Sequence, residues 1–289
     1  MRFLNVVAFY MAKSLLQLLP MLCMLALVSC RQPKVSEHRP EPVQTEKDTL
    51  QPDTLLVQED AEQEEEYKYM DSDFDDFMFT FVRNNRLQRQ RVKYPLHFVT
   101  PQTDSTLYYL NCREEFAFLN DDFFTILYGS SEQIEEVKEI AGDSVSVERI
   151  DLNTSSVNTY DFRRMDGKWM LTGIHQVPVS ENELSDFLSF YTRFSTDSIY
   201  QHSRIAQPLR FGMMDPEDEG NYIEGTLDAQ QWFAFCPEVP GGVISNIRYG
   251  QHYSATQVVL QKCEMASGME EVFSFQRFPD GWMLVSYEN

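Results

Sequence analysis

Basic residues are scarce in this chain. Lys and Arg total 24 against 45 Asp and Glu in 289 residues, a formal net charge of −21. So acidic a chain repels phosphate backbones, and no basic stripe offsets the repulsion, which excludes nucleic acid as a partner. Metal-ligand spacing is missing too. The five histidines are scattered, and neither Cys-x-x-Cys nor His-x-x-x-His occurs. There is no Gly-rich phosphate loop and no Gly-x-Ser-x-Gly elbow. No metal, cofactor or catalytic motif is therefore expected, and the balance leans away from an enzyme. The longest apolar run, Ser14 to Val28, has about 15 residues, short of the roughly 20 that span a bilayer.

That run belongs to an export signal over residues 1–29, with Arg2 and Lys13 as its positive charges. It ends in Leu27-Val28-Ser29-Cys30, which resembles a bacterial lipobox. The resemblance implies cleavage before Cys30 and acylation of its sulfur with palmitate-type chains, anchoring the protein to a membrane. Acyl chains contribute about 0.8 kcal/mol per buried methylene. Residues 30–69 follow as the acylated cysteine and a tether rich in Pro, Glu and Gln, with an acidic run from Glu59 to Glu66. The tether is too polar to offset chain entropy by burial. Acidic residues do not directly follow Cys30, which favours the outer membrane of a bacterial cell envelope, facing the periplasm.

The rest of the chain is duplicated. Phe74 to Phe98 reappears as Phe187 to Phe211, and Phe162 to Leu171 reappears as Phe275 to Leu284, both pairs in one constant register. In that register Gln88 falls on Gln201, Arg91 on Arg204, Tyr109 on Tyr222 and Trp169 on Trp282. Residues 70–178 and 179–289 are expected to be two α+β repeats. Phe74, Phe77, Met78 and Phe81 have helical spacing behind a cluster of Asp, and Leu184 to Phe194 repeats the pattern. Ser180 is a plausible cap of that second helix. Short second helices are expected through Arg91 and through Ile205, the first closed by Pro95. Arg113 to Tyr128 and Glu132 to Ile140 read as helices, and Trp232 to Gly242 as a loop replacing the longer of them. The remaining apolar stretches read as strands, with Asp166-Gly167 and Asp280-Gly281 as hairpin turns. Cys112, Cys236 and Cys263 did not arise as duplicates of one another. Buried free thiols are expected, with a Cys236–Cys263 bond as the alternative.

Helices followed by an antiparallel meander make an α+β unit. The pattern Phe81…Gln88-x-x-Arg91-Val92-x-x-Pro95-Leu96, its copy Phe194…Gln201-x-x-Arg204-Ile205-x-x-Pro208-Leu209, and a closing Phe-x-Arg…Trp-x-Leu hairpin in each half resemble a Bacteroidales lipoprotein family, domain of unknown function 4348. That family is similar to nuclear-transport-factor-2-like folds. The resemblance implies two tandem cone-shaped units, each with N-terminal helices packed on a curved antiparallel sheet, and it implies no reaction.

Candidate ligand-binding residues are Arg91, Gln88, Arg204, Gln201, Tyr109 and Tyr222. Guanidinium is a planar fork suited to carboxylates, although the same Arg and Gln can tie a short helix to nearby carbonyls. His97 with Tyr109, and Tyr222 with His252, are the pairs a general base would need. Arg164 and Arg277 read as solvated cross-strand partners, Trp169 and Trp282 as core, and Asp215 to Asn221 as an acidic loop. The expected function is a lipid-anchored module that binds a small molecule or a protein. The alternatives are a hydrolase or isomerase using a pocket in one unit, and a structural scaffold.

Overall fold

The structure is a computed structural model, and it describes residues 70–109, 123–140, 142–215, 218, 221–235, 237–265 and 267–289. The signal, Cys30, the tether, Cys112, Cys236 and most of the expected helix from Arg113 lie outside these residues.

The first half opens with α1 (Phe74–Arg83) and α2 (Asn85–Gln90). Asp73 caps α1 by accepting from the Asp75 N–H, and Asn84 caps α2 by accepting from the Arg86 and Leu87 N–H groups. Strands β1 (Val92–Val99), β2 (Asp104–Leu107) and β3 (Phe123–Tyr128), helix α3 (Gln133–Ile140), and strands β4 (Ser144–Asp151), β5 (Ser156–Met165) and β6 (Lys168–Pro178) follow. The second half has α4 (Ser185–Phe194), α5 (Ser198–Ser203), β7 (Ile205–Met214), β8 (Tyr222–Leu227), α6 (Ala229–Phe235), β9 (Val243–Arg248), β10 (Gln257–Glu264), β11 (Glu270–Phe278) and β12 (Gly281–Glu288).

These strands form two six-stranded sheets, β2-β1-β6-β5-β4-β9 and β3-β10-β11-β12-β7-β8. Each sheet thus contains five strands from one half of the chain and one from the other. Both sheets are mixed rather than antiparallel, because β1 runs parallel to β6 and β7 parallel to β12. The long connections between these partners permit parallel pairing. Registers shift at matching places, between Asp161 and Phe162 and between Ser274 and Phe275.

Several local expectations are corrected. Residues 123–128, expected as the end of a helix, form β3. The segment is β-branched and aromatic (Phe-Phe-Thr-Ile-Leu-Tyr), and its last four residues are buried. The stretch from Trp232, expected as loop, begins inside α6. Pro95 lies within β1 instead of closing a helix, and Pro208 lies within β7. Both prolines fall where the parallel ladder skips, between Val92 and His97 and between Ile205 and Arg210, so a missing N–H removes no ladder bond there. Both X-Pro bonds are cis. Ser180 does not cap α4; Asn182 accepts from the Leu184 N–H just before it. Asp166-Gly167 is the turn expected, both residues having positive φ. The second turn is Pro279-Asp280, with Gly281 already paired to Phe278.

Each half packs aromatic rings between helix and sheet, and the geometry is duplicated. Phe74 meets Phe162 at 5.5 Å and Trp169 at 5.0 Å between ring centroids; Phe187 meets Phe275 at 5.3 Å and Trp282 at 5.3 Å. Phe81 stands edge-on to Phe162 at 89°, and Phe194 to Phe275 at 88°. Phe77, Phe81 and Phe194 are fully buried and Phe190 nearly so.

Candidate functional site

Arg91 and Gln88 are committed within the chain. The Arg91 guanidinium forms a two-pronged pair with Asp71, Nη1 to Oδ1 at 3.0 Å and Nη2 to Oδ2 at 2.8 Å, both side chains nearly buried. Asp71 Oδ1 also accepts from the Trp169 N–H at 2.9 Å. Gln88 Nε2 donates to the Phe81 carbonyl at 2.9 Å, and Gln201 Nε2 to the Phe194 carbonyl at 3.2 Å, so each glutamine closes the end of the preceding helix. Arg204 lies more open and donates to the Asp280 carbonyl at 2.8 Å. The Arg91 and Arg204 carbonyls accept from the Leu171 and Leu284 N–H groups, both at 2.8 Å. All four residues knit helix to sheet or helix to helix.

Tyr109 is exposed and meets Tyr94 edge-on at 5.8 Å. Tyr222, also exposed, lies against Gly212, where a Cβ would fall 2.0 Å from its hydroxyl. Burial and the nearby Glu288 and Glu224 raise the Tyr222 phenol above its ordinary range. His97 and His252 are exposed. Arg164 and Arg277 do more than face solvent: Arg164 lies over the Trp169 ring and reaches the Ser72 carbonyl, and Arg277 pairs with Asp186, which accepts from Trp282 Nε1 at 2.8 Å. Among the described residues, no group of three or more His, Cys, Asp or Glu is arranged to hold a metal, and Cys263 is buried.

Two polar clusters escaped the sequence reading. In the second sheet, Lys262 on β10 faces Glu271 on β11, with Nζ 2.6 Å from Oε2. Tyr287 on β12 donates to the other carboxylate oxygen at 2.5 Å. All three are buried. Burial and the Glu271 hydrogen bond push the Tyr287 phenol far above its ordinary range. The first half has Arg149, Asn158 and Ile174 at the corresponding positions, so this triad is not part of the duplicated scaffold. A carboxylate clamped between ammonium and phenol can hold or pass a proton. The one available signal was Lys262, with Gln261, set between the apolar Val258-Val259-Leu260 and Cys263. In the first sheet, Asp161 Oδ1 accepts from the Ser146 hydroxyl at 2.7 Å and Oδ2 lies 3.3 Å from His175 Nδ1. Burial alone would raise the Asp161 carboxyl, but its bonds to His175 and Ser146 hold it below the ordinary value. The same bond raises His175, against the opposing effect of burial. Asp stands between Ser and His here, so the Ser146 hydroxyl is held by the carboxylate and not by the imidazole.

A surface groove of about 340 Å³ is lined by Ser198, Ile199, His202 and Phe233. It lies along α5, with Phe233 packed against the second core, and contains none of the candidate ligand-binding residues. No helix among the described residues is long and apolar enough to cross a membrane.

Comparison with known proteins agrees with this architecture. Residues 53–289 match the family described as domain of unknown function (DUF4348). The crystal structure of an NTF2-like protein from Bacteroides fragilis NCTC 9343 is similar, with a TM-score of 0.70 and 38% sequence identity, covering 76% of this chain and 96% of that one. No curated protein matches.

Proposed function

Starting from the chain's membership of the DUF4348 family, we propose that it is a lipid-anchored binding module of the bacterial cell envelope. In this reading Cys30 is acylated, residues 31–69 tether two tandem NTF2-like units, and those units face the periplasm from the outer membrane. The module engages a partner through its outer surface. The observation that carries this mode is the duplicated aromatic packing, with Phe77, Phe81 and Phe194 fully buried between helix and sheet, where a small-molecule pocket would otherwise open. The internal commitments of Arg91 and Gln88 support the same reading. Fractionation and intact-mass analysis of the full chain test the anchor. The wild-type chain is expected in the membrane fraction carrying acyl mass on Cys30, and Cys30→Ser is expected to be released. An unacylated wild-type chain that fractionates like the variant removes the anchored reading.

The Lys262–Glu271–Tyr287 triad favours a second reading, a hydrolase or isomerase working in the second half alone. Turnover found in a substrate screen should then vanish in Glu271→Gln and Tyr287→Phe while surviving in Arg204→Ala. Turnover indifferent to Glu271→Gln counts against it.

A further inference from the structure

The two sheets trade a strand. In β3–β10 pairing Leu127 faces Leu260, and in β4–β9 pairing Ile247 faces Val147. Leu260 and Val147 are counterparts in the register of the duplication, so β3 and β9 hold the same place in opposite sheets. The stretch 129–143 separates β3 from β4, and the shorter stretch 249–256 separates β9 from β10. Either connection is long enough for a strand to fold back onto its own neighbour, yet both strands cross to the other half.

The crossing is reciprocal and buried. Thr125 N–H donates to Ser245 Oγ at 2.8 Å and Thr125 Oγ1 to the Ser245 carbonyl at 2.6 Å; Ser245 N–H donates to Thr125 Oγ1 at 3.0 Å and Ser245 Oγ to the Thr125 carbonyl at 3.0 Å. The Leu127 N–H donates to Asn246 Oδ1 at 2.9 Å. Side chains of each strand thus satisfy backbone groups at the other's free edge, where pairing with foreign chains would otherwise begin. Thr125, Leu127 and Asn246 are fully buried. Tyr249, just beyond β9, hydrogen-bonds to Asp75 on α1 of the other half. The halves are joined covalently by the short connection Val179 to Leu184.

We propose that a second copy of this chain is a partner, bound by exchange of whole halves. In such a dimer, residues 70–178 of one copy clasp residues 185–289 of the other, and every sheet pairing of the single chain is kept. The two forms differ only at the connection, held here by Val179 N–H to the Ser155 carbonyl at 2.9 Å and by Asn182 Nδ2 to Glu148 Oε1 at 3.2 Å. A short connection gives an intramolecular effective concentration of about millimolar, so the single chain dominates in dilute solution. Exchange requires unclasping buried strands, so a dimer, once formed, persists on dilution.

The test refolds the full chain from urea over a range of protein concentrations and sizes the products by light scattering. It uses a variant with a specific protease site inserted after Ser180 and a second lacking Ser180 and Glu181. The dimer fraction is expected to rise several-fold with refolding concentration, and further in the shortened variant. Cutting at the inserted site should convert the dimer to a particle of single-chain mass, because each clasped pair then comes apart from its twin, and should leave the single chain at its original mass. The proposal is overturned by a dimer that survives cutting, by a cut single chain that falls to half mass, or by the absence of dimer from both variants at every concentration.

Discussion

Arg91 and Arg204 occupy one duplicated position and do different work, because the partner was not duplicated with them: Asp71 has Leu184 as its counterpart. The Arg91–Asp71 pair is nearly buried, whereas Arg204 has 24% of its side chain exposed. Removing one member of a buried pair strands the other charge and costs about 3–5 kcal/mol. Arg91→Ala should therefore lose that much stability in urea unfolding, and Arg204→Ala about 1 kcal/mol or less. The half-exposed Asp161–His175 pair predicts a pH signature. His175 is raised above 6.5, so its contribution is complete below pH 6.5 and lost as pH rises through its folded-state value. Asp161 is depressed below 3.8, so its contribution is present above pH 3.8 and lost as pH falls through its folded-state value. The stability difference between the wild-type chain and His175→Gln should peak between those limits and shrink on both sides in urea titrations across pH. Sequence named Arg91 as notable and left open what it holds, since Asp71 lies upstream of the whole of α1 and α2 and meets Arg91 only through the fold.

At the scale of elements, the helical period of phenylalanines identified α1 and α4 because one apolar stripe suffices to define a helix face. The same rings fill both interiors, so Phe81→Ala and Phe194→Ala should each cost about 3–5 kcal/mol in urea unfolding. A loss under about 1 kcal/mol at either position would mean the interior is looser than its edge-on ring contacts indicate. Strand β3 was missed for a physical reason. A strand buried on both faces has no alternation to read: Ile126 and Tyr128 enter one core while Leu127 enters the other. Its copy β9 does read as a strand, but the correspondence between the two was hidden. The register that sets Phe74 on Phe187 slips where Thr125 corresponds to Ser245, and it is restored beyond β9, so an ungapped comparison sets β3 against residues 236–241.

At the scale of the whole molecule, the clasp should couple the halves. Thr125→Val and Ser245→Ala each remove two of the four hydrogen bonds, with none lost to both, and because the two residues touch within one buried network the double variant should depart from the sum of the singles by about 0.5–3 kcal/mol. A double-mutant cycle in urea measures this, and strict additivity would mean that the two pairs of bonds act independently. A single unfolding transition for both halves is the companion expectation.

The sequence by itself determined the duplication, the α+β class, the helix faces, most strands and the acidic, motif-poor character of the chain. These are local or periodic properties, written within a few turns or strand pairs. Only the tertiary structure decided which strand completes which sheet, that the sheets are mixed, that Arg91 answers to Asp71, and that Lys262, Glu271 and Tyr287 meet. Each depends on contacts between residues far apart in the chain, where burial and hydrogen bonding choose among pairings that local pattern leaves equal.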